Sequence, residues 1–156
     1  TMDAVARSFH GVEHRIERIR VRRGVRWYND SIASSPSRTI AGLRSFPEKV
    51  ILIAGGKDKG ISYDAIGPEI NEHVKYLILC GATAGVIRES VQKAPNYTGL
   101  PIREVQDYHE AVALADEVSG EGDVVILSPA STSFDRFANF MERGRVFKDI
   151  VNALPD

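Results

Sequence analysis

The sequence predicts an α/β chain: a Rossmann-like, mostly parallel sheet with flanking helices and an N-terminal β-hairpin. Three observations predict it. The apolar runs at 50–54, 76–80 and 124–127 have the length and the unbroken hydrophobicity of strands buried on both faces. Each is followed by a loop of glycine or small polar residues and then by a segment of helical periodicity, the alternation that builds parallel sheets through right-handed crossovers. Glycine and proline punctuate the spaces between the runs.

Residues 1–8 read as a short helical lead, a linker or remnant ahead of the domain, and 9–156 as one domain. Between 17 and 22, Ile19 and Val21 alternate with Arg18, Arg20 and Arg22, and Gly24 precedes Val25-Arg-Trp-Tyr28. The pair predicts a hairpin whose arginines form one wet, basic face. Ser35-Pro36 starts a helix through Ile40 and Leu43, with proline at the first helical position. The strand at 50–54 leads through a Gly-rich loop to a helix from near Asp64, and the strand at 76–80 to a helix over 83–93. A strand at 102–105 precedes a helix over 108–118 with Ala111, Leu114, Ala115 and Val118 on one face. The strand at 124–127 and the polar loop 128–133 then open a final helix over 135–151, with Ser133 as its N-cap and Phe134, Phe137, Met141 and Phe147 as its apolar positions.

At 156 residues and 43% hydrophobic content, one well-cored domain fits and two would be cramped. A net charge of −1 gives no global field toward nucleic acid or anionic lipid, and neither partner is expected. The lone Cys80 reads as a buried structural thiol. No apolar stretch has membrane-spanning length and the start shows no signal-peptide pattern, so a cytoplasmic protein is expected.

Three polar loops each follow a strand: Asn29-Asp30-Ser31 with Ala33-Ser34-Ser35, residues 55–60, and residues 128–133. In a parallel sheet all three share the carboxyl rim, where ligands bind. Asp30 suits a ribose hydroxyl or a nearby cation, and equally an Asx-turn or cap. Lys57 and Lys59 suit a substrate carboxylate, or solvent. Ser131 to Ser133 suit anion recognition better than nucleophilic catalysis, since no G-x-S-x-G elbow is present. Neither G-x-G-x-x-G nor a P-loop occurs, and His10, His14, His73 and His109 lack metal-ligand spacing, so no metal is expected.

In order along the chain, His14-Arg15-Ile16-Glu17, Trp27-Tyr28-Asn29-Asp30-Ser31, Ile53-Ala-Gly-Gly-Lys-Asp-Lys-Gly60, Leu127-Ser-Pro-Ala-Ser131 and Phe140-Met-Glu-Arg-Gly144 together resemble the C-terminal domain of the Mur ligases, and most closely its D-glutamate-adding branch. The resemblance spans nearly all of 9–151. It implies part of an ATP-dependent amide-bond ligase of bacterial peptidoglycan precursor synthesis, acting on UDP-N-acetylmuramoyl-L-alanine as a monomer. By the same resemblance Lys59 would pair with a carboxylate of D-glutamate, with Ser34, Ser133, Phe134 and Phe140 completing the pocket. Arg15, Asp30 and Asn29 would face ATP, Arg15 toward phosphate and Asp30 toward ribose. The family's UDP-binding and central ATPase domains, with the P-loop and Mg²⁺ ligands, have no counterpart in this sequence. The chain alone is therefore expected to be inactive, with no catalytic residue of its own.

The sequence departs from the family pattern at Ile32, where many relatives have lysine, and at Ser131-Thr-Ser-Phe134, which is bulkier than the commoner Cys-Ala-Ser-Leu. Ser34 replaces a frequent threonine and keeps the hydroxyl. A ligase for another amino acid, a folylpolyglutamate synthase-like domain and a non-catalytic Rossmann-like module are the alternatives. The absence of Asp-Asn-Pro-Arg argues against the diaminopimelate- or lysine-adding branch.

Overall fold

Runs of branched aliphatic residues that cannot face water on either side settle at the middle of a sheet. In the computed structural model, which describes residues 12–133 and 136–156, β3 (Val50–Ala54) and β6 (Val124–Leu127) are buried at every position. Around them lie β1 (Glu17–Arg22), β2 (Val25–Asn29), β4 (Val74–Cys80) and β5 (Ile102–Val105) in the order β1-β2-β6-β3-β4-β5. Among the described strands, β1 pairs antiparallel with β2 and the other pairings are parallel, as expected from the alternation of strands and helices. Arg23 and Gly24 both take positive φ, 55° and 81°, and close the hairpin.

Among the described residues, five helices cover the sheet: α1 (Pro36–Leu43), α2 (Ile66–His73), α3 (Ala84–Lys93), α4 (Tyr108–Val118) and α5 (Phe140–Asn152). The alternation of side chains along the strands divides the core in two. Leu52, Leu77, Leu79 and Ile126 pack with Leu43, Ile66, Ile70, Ile87 and Val91 of α1, α2 and α3. Trp27, Ile51, Ile53, Ile78, Val125 and Leu127 pack with Ala111, Ala115, Phe147 and Val151 of α4 and α5. Each fully buried aliphatic side chain contributes about 1.5–3 kcal/mol, so these two layers fix the level of every strand end.

Two expectations are corrected. The hairpin arginines do not form one solvated face: Arg22 is 5% exposed and pairs with Asp116, and Arg20 donates to the carbonyls of Val151 and Leu154 at 3.1 and 3.0 Å, while Val21 is exposed along with Arg23. The carbonyls that close α5 give these guanidiniums an inward destination. The final helix starts at Phe140 rather than 135, because Asn139 is its N-cap, accepting from the Glu142 N–H at 2.9 Å, while Glu142 Oε1 accepts from the Ala138 N–H at 3.0 Å. Ser133 is therefore not the cap, and its carbonyl instead accepts from the Arg136 and Phe137 N–H groups in a turn. The expected lead at 1–8, and Phe134, lie outside the described residues.

Gly67 shows how closely α2 and α3 approach. A Cβ there would stand 2.1 Å from the Ser90 carbonyl oxygen, and the Gly67 N–H donates to Ser90 Oγ at 2.9 Å. Alanine would gain about 1 kcal/mol of helix propensity but would force the helices apart, which costs about 1–3 kcal/mol or more. Gly67→Ala is expected to lower urea-unfolding stability by about 2 kcal/mol, and a stabilised variant would contradict this packing.

Candidate functional site

The sheet order determines where the chain can open a crevice. Strands β2 and β3 lead into α1 and α2 on one face, whereas β6, lying between them, leads to α5 on the other. The chain diverges on both sides of the carboxyl end of β6, which is where open α/β sheets bind ligands. Asn29 is in register with Leu127, and Ile53 with Leu127 also, so the loops that follow these strands begin at one level.

One side chain ties these loops together. Arg143, 1% exposed on α5, donates from Nε to Ser31 Oγ at 3.1 Å, from Nη2 to the Ser31 carbonyl at 2.8 Å and to Ser34 Oγ at 3.4 Å, and from Nη1 to the Ser131 carbonyl at 2.8 Å. Ser31 Oγ in turn donates to the Phe140 carbonyl at 2.7 Å. The 55–60 loop is held by its own contacts: the Lys57 N–H donates to the Thr132 carbonyl at 2.9 Å, the Gly56 N–H to Thr83 Oγ1 at 3.0 Å, and Thr83 Oγ1 lies 2.8 Å from Ser131 Oγ. Tyr63 Oη adds a hydrogen bond to the Ala130 carbonyl at 2.9 Å. Ala130 itself is held at φ 58°, a left-handed conformation that a non-glycine residue adopts at a cost of about 1 kcal/mol.

This scaffold brings most of the expected amino-acid-binding residues to one rim. Lys59 is exposed two residues beyond the bridged Lys57, and Ser133, buried, is one beyond Thr132. Their Cα atoms are thus no more than about 17 Å apart, within the combined reach of a lysine side chain and a small dicarboxylate. Ser34 and Phe140 are half-buried beside Arg143 and His14, the Phe140 ring meeting the His14 ring edge-on at 5.8 Å. Thr132 Oγ1, one of the three hydroxyls at 131–133 that the sequence suits to anion recognition, is buried without a hydrogen-bond partner among the described residues. Arg143, one helical turn from Phe140, is the residue of this rim to which the sequence alone gives no role.

A second cleft, of about 370 Å³, opens beside β2 and is lined by Arg15, Asp30, Ile32 and Arg38 among others. Asp30 is 3% exposed; its Oδ1 accepts from the Ile16 N–H at 3.2 Å and its Oδ2 from Ser128 Oγ at 2.8 Å. Gly42 of α1 leaves room for it, since a Cβ there would be 2.8 Å from Oδ2. Burial pushes the Asp30 carboxyl up to about 6, against those two hydrogen bonds and the nearby charges of Arg15 and Arg38. Asn29 points inward instead: its Oδ1 accepts from the Ser31 N–H at 3.0 Å, and its Nδ2 donates to Glu17 Oε1 at 3.1 Å and to His14 Nδ1 at 2.9 Å. That arrangement makes His14 Nδ1 the acceptor, and burial pushes the imidazole below its ordinary value.

The donor set does not fit Mg²⁺. The cleft offers one carboxylate, whose two oxygens already accept hydrogen bonds, and places two guanidiniums near it, whereas Mg²⁺ needs open oxygen ligands. Glu13, His14 and Glu17 gather their ligand atoms within 4.8 Å of one another, but the Lys148 ammonium supplies the cation there, 2.9 Å from Glu13 and 3.2 Å from Glu17.

The raised Asp30 value has a definite sign. The unfolded carboxyl titrates near 3.8 and the folded one near 6, so the folded state binds the extra proton, and the stability this confers is lost as pH rises from about 4 through 6. Above that range the buried charge costs about 3 kcal/mol. Asp30→Asn is expected to match the parent at about pH 4 and to exceed it by about 2–3 kcal/mol at about pH 7.5 in urea unfolding. A difference that stays constant between the two would contradict a carboxylate held ionised at a cost.

The family described as "Mur ligase, glutamate ligase domain" matches residues 14–131. A UDP-N-acetylmuramoylalanine–D-glutamate ligase from Acetivibrio thermocellus is 56% identical over 154 residues, covering 96% of this chain and 33% of that protein. One from Ruminiclostridium cellulolyticum is 54% identical over 158 residues, covering 99% and 34%. The chain thus spans about a third of the length of the curated relatives it matches. Among solved structures, UDP-N-acetylmuramate-alanine ligase MurC from Thermotoga maritima superposes with a TM-score of 0.62 at 13% identity, over 94% of this chain and 31% of that one. A Mycobacterium tuberculosis folylpolyglutamate synthase complexed with ADP also gives 0.62 at 13% identity, over 94% and 34%. These two likenesses speak to the fold alone. With its matched span running from the His14-Arg15 pair through the serine loop after β6, the chain belongs to the Mur ligase family, in its C-terminal, glutamate ligase domain.

Proposed function

We propose that this chain is the amino-acid-binding domain of an ATP-dependent ligase that joins D-glutamate to UDP-N-acetylmuramoyl-L-alanine in the bacterial cytoplasm, and that it works as a monomer. The observation that carries this reading is the gathering of the loops after β2, β3 and β6 on one rim, in a chain whose relatives of more than 50% identity are named for that reaction. In the reaction, the acceptor carboxylate takes the γ-phosphoryl group of ATP and ADP leaves. The D-glutamate amine then attacks the acyl phosphate, forming the amide and releasing phosphate.

Each residue has a task suited to its chemistry. The Lys59 ammonium pairs with one carboxylate of D-glutamate, Ser34 and Ser133 offer hydroxyl donors, and Phe140 forms an apolar wall. Arg15 presents a guanidinium fork to phosphate, where negative charge shifts during transfer. Ionised Asp30 accepts from ribose hydroxyls, which would offset part of the cost of its burial. Asn29 serves the nucleotide side through His14 and Ser31 rather than by contact. Mg²⁺, the phosphate-cradling loop and the UDP moiety belong to other parts of a longer protein, and the chain alone has no turnover.

The test is kinetic, on the full-length ligase that contains this chain. Lys59→Ala removes a charge-assisted pair worth about 1.5–3 kcal/mol, so KM for D-glutamate is expected to rise by about 10- to 100-fold while KM for ATP stays within about twofold. An unchanged KM for D-glutamate would remove the reading's principal contact.

A further inference from the structure

The cleft beside β2 contains more cationic capacity than the function above uses. Arg38, exposed in the first turn of α1, lines it together with Arg15, Asp30 and Ser37. Neither Arg15 nor Arg38 has a hydrogen-bond or ion-pair partner for its guanidinium among the described residues. Several other guanidiniums are committed: Arg22 to Asp116, Arg26 to Glu48, Arg44 to Glu69, and Arg143 to the serine loops. The forks of Arg15 and Arg38 meet at one cleft from different elements, the segment before β1 and the start of α1, and the carboxylate near both of them already accepts from Ile16 and Ser128. A guanidinium carries five N–H donors in a planar fork matched to phosphate oxygens, and two forks beside one cleft suit an extended polyanion better than a single carboxylate.

We propose that Arg38 is a second phosphate-binding arm of this cleft, so that the phosphate chain of a nucleoside polyphosphate is held between Arg15 and Arg38 while Asp30 takes the sugar hydroxyls. This rests on the reading of the cleft as the nucleotide side, and it adds a contact for the charged part of the ligand. The rest of that lining is uncharged, with Ile32 and Ala33 beside the hydroxyls of Ser37 and Ser45, so the negative charge of the ligand is answered by the two arginines.

NMR-detected titrations of the 156-residue chain with ATP, tripolyphosphate and adenosine test the proposal. Arg38→Ala is expected to weaken ATP and tripolyphosphate about tenfold and to leave adenosine unchanged, with Arg38→Lys recovering only part of the loss because the ammonium lacks the fork. The unfolding midpoint is expected to stay put, since Arg38 is exposed and bonded to nothing that the fold needs. Equal tripolyphosphate affinity in parent and Arg38→Ala overturns the proposal, as does a parent chain that binds neither ATP nor tripolyphosphate at millimolar concentration. Asp30→Asn separates the two levels. If it weakens adenosine while Arg38→Ala spares tripolyphosphate, only the Arg38 contact fails; if it leaves adenosine untouched, the nucleotide reading of the cleft fails with it.

Discussion

The carboxyl rim of this domain depends on the burial of the Arg143 guanidinium. Taking such a cation out of water costs several kcal/mol unless its donors are met, and here they reach two carbonyls and two hydroxyls drawn from the loops after β2 and β6. Those partners are the polar groups that a loop folded over a sheet end would otherwise leave unsatisfied. One side chain therefore resolves two desolvation problems and fixes the distance between Ser34 and the serine loop. The 55–60 loop joins through backbone pairing at Lys57 and the Thr83–Ser131–Tyr63 hydroxyl cluster, so the candidate pocket is shaped from behind by buried polar contacts.

Behind the cleft beside β2, strain and close approach are concentrated in a few residues. His14 and Ile16 take φ of 66° and 46°, and a Cβ on Gly144 would stand 2.2 Å from His14 Nδ1. The His14 ring can lie against α5 only because residue 144 has no side chain. Held there, it accepts from Asn29 and leaves Arg15 exposed at the cleft mouth, while the Ile16 N–H reaches Asp30. Residues in unfavourable backbone regions persist where the surroundings over-determine them, and such places cluster at ligand sites.

The buried strands could be read from the chain because a run such as Val-Ile-Leu-Ile-Ala has no polar face to expose, and the parallel order followed from what separates the runs. The start of α5 was misread because Ser133 and Asn139 are equally good caps by type; the Asn139 to Glu142 spacing was the signal that distinguishes them. Alternation along β1 could show neither the register shift between Arg18 and Arg20, which pairs Arg18 with Tyr28 and Arg20 with Trp27, nor the α5 carbonyls, far away in sequence, that draw Arg20 inward. Arg143 was invisible for a related reason: arginine is ordinarily a surface residue, and only the assembled loops supply enough acceptors to bury it. The loops carrying Asp30, Lys59 and Ser133 were legible as neighbours from their position after parallel strands. The inward turn of Asn29 was not, because its partners, His14 and Glu17, meet it only through the folded hairpin.

The most direct test of the shared rim is a crystal structure or NMR titration of this chain with D-glutamate, using L-glutamate as the control. The account predicts that D-glutamate perturbs Ser34, Lys59, Ser133 and Phe140 together, with L-glutamate affecting them much less. Perturbations confined to one of these loops, or equal responses to both enantiomers, would contradict it.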